Sequence, residues 1–273
     1  MLGAIIGDIV GSVYEWHNIK TKDFPLFRND CFFTDDTVMT IATSDALMNG
    51  GEIDDFINAY KKWGRLYSNA GYGSRFGAWI NSDVREPYNS WGNGSAMRVS
   101  PCAEYAFKSQ YPGDRPENSI VHARQLAIIS SSVTHNHPEG IKGAEATAYC
   151  MMMAYGYGLK AAKKHILEDI PFLFDYDMTS ILDEIRPTYH FNESCQDTVP
   201  QAIIAFLEST DFEDAIRNAI SIGGDSDTLA AITGSIAEAA YGVPDWIRDK
   251  ALSYLDAPLR DVYNRWETYI KNS

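Results

Sequence analysis

The 273-residue chain has few cysteines. Cys31, Cys102, Cys150 and Cys195 lie far apart, with no CxxC pair and no metal-like spacing. That argues against a disulfide framework and a thiolate metal site, and it reads as isolated thiols in a reducing, cytoplasmic compartment. Long apolar runs are also missing. A membrane span needs about 18 consecutive apolar residues, and none occurs. The opening Met1-Leu2-Gly3-Ala4-Ile5-Ile6-Gly7-Asp8 has no basic residue ahead of its short apolar run, so it does not read as a signal peptide either. Positive charge is scarce, at 23 Lys and Arg against 37 Asp and Glu, a formal net charge of −14. Such a chain lacks the basic footprint of a nucleic-acid binder and would not adhere to an anionic membrane. Phosphate-bearing small ligands stay open, because main-chain N–H groups and bound cations neutralise phosphate locally. Repeats, low-complexity tracts and linker-like shifts in composition are absent, and one domain over 1–273 is expected.

Helical periodicity is what the sequence does contain. Ile53, Phe56, Ile57, Tyr60, Trp63 and Tyr67 fall on one helical stripe within 52–67, as do Phe212, Ala215, Ile216, Ala219 and Ile220, and then Leu229, Ile232, Ile236 and Ala239. Further helices are expected near 37–48, 118–132, 140–155, 178–186, 200–208, 244–255 and 259–271. The Ala-, Met- and Gly-rich stretch 139–163 reads as a buried helix. Strand alternation is scarce, and irregular pieces are expected at 68–101, 110–117 and 186–199. The fold class predicted is all-α.

Two short segments carry chemistry. Thr34-Asp35-Asp36-Thr37 opens one helical pattern and Gly223-Gly224-Asp225-Ser226-Asp227-Thr228 opens another. Alone, each reads as helix capping, since Asp and Thr are favoured N-cap and first-turn residues. Together they form a set of hard oxygen ligands, because neighbouring carboxylates repel unless a cation or proton intervenes. Such a set suits Mg²⁺ or Mn²⁺ rather than Zn²⁺ or Cu²⁺, and four carboxylates suffice for a pair of ions. Glu15 is a possible fifth, although taken by itself it reads as a solvated surface residue. Gly71-Tyr72-Gly73 and Gly92-Asn93-Gly94-Ser95-Ala96-Met97-Arg98 leave main-chain amides open for phosphate, without the pattern of a Walker or Rossmann loop. His135-Asn136-His137-Pro138 starts a helical stretch, where two histidines at i, i+2 make a poor chelating pair and read as capping or packing as readily as functional residues.

These residues resemble the ADP-ribosylglycohydrolase family. The likeness spans nearly the whole chain, through GAIIGDIVGSVYE, FFTDDTVMTIA, GYGSRFG, GNGSAMRVSP, SSSVTHNHPEGIKGA and ISIGGDSDTLAAITGSIAEAAYG. The resemblance implies a compact helical domain that holds two Mg²⁺ or Mn²⁺ ions in a cleft and hydrolyses the N- or O-glycosidic bond between ADP-ribose and a modified side chain or small conjugate. It implies Thr34, Asp35, Asp36, Asp225, Asp227 and Thr228 as metal ligands. Glu15 would sit on an entrance loop, with Asp36 and Glu15 the candidates for catalytic base. Gly71, Gly73, Asn93, Gly94, Ser95 and Met97 would hold the diphosphate, and His135 or His137 would line the ADP-ribose pocket. Expected partners are an ADP-ribosylated protein or small ADP-ribose conjugate, with neither membrane nor nucleic acid. The alternatives are a non-catalytic ADP-ribose-binding or crystallin-like structural member, and a two-metal phosphoesterase.

Overall fold

Gly3, Gly7 and Gly11 recur every four residues and therefore share one face of a helix. In the computed structural model, which describes residues 1–109 and 116–272, Leu2–Gly11 forms that helix, α1. The remaining helical elements are α2 Asp35–Met48, α3 Ile53–Leu66, α4 Ser74–Asn81, α5 Gly94–Met97, α6 Ser100–Lys108, α7 Pro116–Ser132, α8 Pro138–Gly156, α9 Leu159–Phe174, α10 Leu182–Ile185, α11 Cys195–Leu207, α12 Phe212–Ile222, α13 Ser226–Tyr241, α14 Asp245–Leu252 and α15 Ala257–Asn272. Among the described residues there is no strand beyond a single isolated bridge, Gly92 to Ser194. Among the described residues, no helix is long and apolar enough to cross a membrane.

Helix α13 is the axis of the molecule, buried from Ser226 to Ala237 and packed by α1, α8, α11 and α12. The glycine face of α1 lies directly on it. A Cβ at Gly7 would stand 2.0 Å from the Ala230 carbonyl oxygen, and one at Gly11 would stand 2.4 Å from Asp227 Cα. No side chain fits there, and the two backbones meet. This approach brings Asp8 of α1 to the N-terminal end of α13. Helix α2 packs between α1, α3, α6 and α15, while α6, α7 and α8 close the other flank. One continuous apolar core runs through these layers. The α12 stripe Phe212, Ala215, Ile216, Ala219 and Ile220 is fully buried, and each such Ile or Phe contributes about 1.5–3 kcal/mol.

Several expected boundaries move. The helix expected over 139–163 is two, because Tyr157 between Gly156 and Gly158 turns extended (φ −125°, ψ 151°). The helix expected over 178–186 shrinks to α10, because the Asp177 carboxylate accepts both the Thr179 amide and hydroxyl and draws the chain into a turn. The helix expected from 200 begins five residues earlier, where Ser194 caps it by accepting the Asp197 amide at 3.3 Å. The Gly- and Ser-rich stretch 68–101 contains α4 and α5 and starts α6. Ile53, placed on the α3 stripe, remains exposed in the first turn. Of the irregular piece expected at 110–117, residues 110–115 lie outside the described residues.

Candidate metal-binding cleft

Thr34 caps α2, and Asp35 and Asp36 follow in its first turn; Asp225 occupies the N-cap position of α13, followed by Asp227 and Thr228. The two helix N-termini face each other. Thr34 Oγ1 lies 3.4 Å from Asp227 Oδ2, and Thr228 Oγ1 donates to Asp36 Oδ2 at 3.3 Å. Two segments far apart in sequence thus cross-link at the floor of one cleft, each with the positive end of a helix dipole beneath its carboxylates. Capping and clustering are not exclusive here. Thr34 Oγ1 also accepts the Asp36 amide, at 3.4 Å.

Asp8, which the sequence reading passed over, fixes this geometry. It is fully buried and accepts the Thr34 hydroxyl at 2.7 Å, the Thr34 amide at 2.9 Å and the Thr37 amide at 3.0 Å. Its signal in the sequence was a single acid inside an otherwise apolar and glycine helix. Burial nevertheless outweighs those hydrogen bonds and raises its carboxyl above the ordinary range.

The electrostatics are those of an uncompensated anionic cluster. Burial first, and then the Asp227 and Asp8 charges, hold Asp35 and Asp36 well above the usual carboxylate range. Asp227 is raised in the same way by burial and by Asp225. Burial lifts Asp225 to about 6 even though Asn93 Nδ2 donates to it at 2.7 Å. Glu15, half-buried at the cleft, is pushed up to about 8 by burial and then by Asp227 and Asp8, with a hydrogen bond from Trp16 acting the other way. Oxygens of Glu15, Asp225 and Asp227 all lie within 4.8 Å of one another. Asp36 Oδ1 is buried with no hydrogen-bond partner, a position that a buried polar atom holds at a cost unless something completes it. This set of hard oxygen donors with one aimed, unpartnered atom fits a divalent cation such as Mg²⁺ or Mn²⁺.

Above the carboxylates, the cleft is lined by Gly71, Gly73, Asn93, Gly94, Met97 and His135. Gly71 has φ +109°, which favours glycine, and its loop is tied to α2 by the Asp35 amide donating to the Ala70 carbonyl at 2.8 Å. The Asn93 amide donates to the Glu193 carbonyl at 2.7 Å, which anchors the second loop. Ser95 is different: its hydroxyl donates to the Gly140 carbonyl at 2.6 Å and is buried among α5, α8 and α11 rather than in the cleft. Thr34 likewise lies beneath the cleft surface.

The two histidines separate cleanly. His137 caps α8 by accepting the Glu139 amide at 3.2 Å, while His135 lines the cleft. Burial first, then the Arg98 and Arg75 charges, lower His135 well below its ordinary value, so its ring is neutral at pH 7. Thr134 Oγ1 accepts from Arg98 at 2.7 Å and meets His135 Nδ1 at 2.8 Å. The Nδ1 side of the ring is thus tied to Thr134, and Nε2 is the nitrogen that lies beside Gly94. Arg75 and Arg98, from the glycine-bearing segments GYGSRFG and GNGSAMR, also line the cleft, as do Trp16, Tyr88, Phe191 and Glu193, which carried no sequence pattern that marked them.

Comparison with known proteins adds the following. A family profile described as ADP-ribosylglycohydrolase matches residues 1–268. The chain is 27% identical to ADP-ribosylarginine hydrolase Tri1 of Pseudomonas putida over 97% of this chain and 77% of that protein. It is 26% identical to ADP-ribosylhydrolase ARH3 of Mus musculus over 89% of this chain and 83% of that protein. A solved structure titled ADP-ribosylglycohydrolase-related protein complex superposes with a TM-score of 0.69 at 22% identity, covering 96% of this chain and 94% of that one, and shares its fold.

Proposed function

The chain belongs to the ADP-ribosylglycohydrolase family, and on that footing we propose that it is a cation-dependent hydrolase releasing ADP-ribose from a modified side chain or a small ADP-ribose conjugate. The observation that carries this reading is the meeting of the α2 and α13 N-termini, with their carboxylates crowded around the unpartnered Asp36 Oδ1. Asp35, Asp36, Asp225, Asp227, Thr34 and Thr228 are the residues that would hold two Mg²⁺ or Mn²⁺ ions, with Glu15 reaching the same cluster. Bound there, such ions would supply Lewis acidity and lower the pKa of a coordinated water.

The protein's own groups do the placement. The open amides around Gly71, Gly73 and Gly94, with Arg75 and Arg98 behind them, suit a diphosphate, and His135 presents Nε2 of a neutral ring beside Gly94. Holding the remote ADP portion contributes to rate by fixing the sugar above the carboxylates. Cleavage at the anomeric carbon develops oxocarbenium character, which the surrounding carboxylates stabilise electrostatically. Asp36, through its free oxygen, and Glu15, from the loop after α1, are the candidates to take a proton from the attacking water.

The test is product analysis with ADP-ribosylated arginine and serine peptides and O-acetyl-ADP-ribose, each with Mg²⁺, Mn²⁺ or chelator. Free ADP-ribose is the expected product, and Asp36→Ala should lower the rate on the order of 10²-fold or more, about 3 kcal/mol of transition-state stabilisation. Parental turnover in chelator refutes the cation requirement. AMP and phosphate as products would make the protein a phosphoesterase, and cation-dependent ADP-ribose binding without turnover would make it a binding protein.

A further inference from the structure

The cleft carries charge of both signs. Arg75 and Arg98 line it beside Tyr88 and His135, where Arg75 lies 5.1 Å over the Tyr88 ring and Arg98 reaches Thr134 next to His135. Trp16 and Phe191, from loops far apart in the chain, stack at 5.0 Å between ring centroids with a 22° interplanar angle. Trp16 is 72% exposed and Phe191 39%, and both line the cleft. The residue before Trp16 is Glu15, whose carboxylate belongs to the cluster with Asp225 and Asp227. Two residues beyond Phe191 comes Glu193, which also lines the cleft and is fixed there by its carbonyl accepting the Asn93 amide at 2.7 Å.

From this arrangement we propose that Trp16 and Phe191, with Glu15 and Glu193 beside them, form the acceptor-side specificity element, selecting a planar cation and hence a guanidinium N-linked to ADP-ribose. The inference rests on the glycohydrolase reading and names its substrate class. A guanidinium keeps its charge when one nitrogen carries a sugar, and its flat face suits an aromatic ring while its edge suits a carboxylate. A serine-linked conjugate presents only an ether oxygen there and gains nothing from either group. Arg75 and Arg98 would repel a guanidinium and suit the diphosphate, so the substrate is expected to lie with its diphosphate toward them and its guanidinium toward Glu15 and Trp16.

The experiment compares kcat/KM on arginine- and serine-linked ADP-ribosyl peptides for the parent, Trp16→Ala, Phe191→Ala and Trp16→Phe. The parent should favour the arginine linkage. Each alanine variant should lower the arginine-to-serine ratio of kcat/KM about tenfold, within the range of a cation–π contact, and Trp16→Phe should recover most of that ratio. Nuclear magnetic resonance titration with arginine methyl ester and its uncharged isostere citrulline methyl ester provides a readout independent of turnover. The arginine ester should bind more tightly to the parent, and Trp16→Ala should abolish the difference. ADP-ribose release with equal preference for the two linkages, or with an unchanged ratio in both alanine variants, overturns the aromatic element and leaves the glycohydrolase reading intact. No release from any conjugate overturns the glycohydrolase reading; the element then stands as a planar-cation site if the two esters are still told apart through Trp16, and falls if they are not.

Discussion

Replacing Asp227 by Asn should make the protein more stable and less able to act, and the structure sets the size of both effects. Oxygens of Asp227, Asp225 and Glu15 lie within 4.8 Å of one another. At 4.8 Å two full charges repel by about 3.5 kcal/mol at an effective dielectric constant of 20, so Asp227 faces about 7 kcal/mol if all three were ionised. Protons taken up by the cluster relieve much of this at pH 7, leaving an expected gain of about 1–3 kcal/mol. Against it stands little. The Asn oxygen can still accept the Thr228 amide, which Asp227 Oδ1 accepts at 3.1 Å, and the Thr34 contact at 3.4 Å is long. Those losses amount to about 1 kcal/mol or less. In chelator, the melting temperature of Asp227→Asn should therefore rise by a few degrees, since 1 kcal/mol corresponds to roughly 2–4 °C in a chain of this size. With Mg²⁺ or Mn²⁺ added, the parent should gain stability by mass action and the variant should not. Calorimetric melts with and without cation decide the matter. A variant that melts below the parent in chelator, as an ordinary buried substitution would, refutes the account of the cluster as uncompensated charge.

Asp8→Ala strips the acceptor from the Thr34 amide, the Thr34 hydroxyl and the Thr37 amide, at about 1–3 kcal/mol for each donor left buried and unpaired; urea titration should show a lower midpoint, and turnover should fall because the first turn of α2 is no longer held. Gly7→Ala forces a Cβ to within 2.0 Å of the Ala230 carbonyl oxygen and should destabilise by about 3 kcal/mol or more through separation of α1 from α13, whereas Gly73→Ala, with open space around its Cβ position, should leave the melting temperature nearly unchanged. Asp45 is raised by burial but lowered further by hydrogen bonds from Lys62 at 2.8 Å and Trp63 at 2.7 Å, so its carboxyl sits below its ordinary value. A depressed carboxyl contributes stability above its unfolded value near 4 and loses it as pH falls through the folded value. Asp45→Asn should thus lower stability by about 2 kcal/mol at pH 7, with the deficit shrinking below pH 4; a deficit that is flat with pH would contradict that assignment.

The sequence by itself specified the class of structure and the chemical character of the site. Apolar residues at helical spacing, as in Phe212, Ile216 and Ile220, can be buried together only on a helix, and paired carboxylates next to threonines at two helix starts announce hard-cation chemistry wherever they end up. Leu2, Ile5, Ile6, Ile9 and Val10 stand at helical spacing, so α1 was legible as a helix, but the meaning of its glycine face lay in the partner α13. Periodicity could not set the ends of α8 and α10, which depend on single backbone turns at Tyr157 and Asp177. What only the tertiary structure decided was which groups share a space: that Asp8 ties down Thr34, that Ser95 turns toward Gly140 while His135 turns into the cleft, and that Trp16 meets Phe191. Each of those pairings joins residues whose separation along the chain carries no period. The close approach of α1 to α13 and the facing N-termini of α2 and α13 bring them together, because packing of whole helices, and not any local propensity, determines distances between segments remote in sequence.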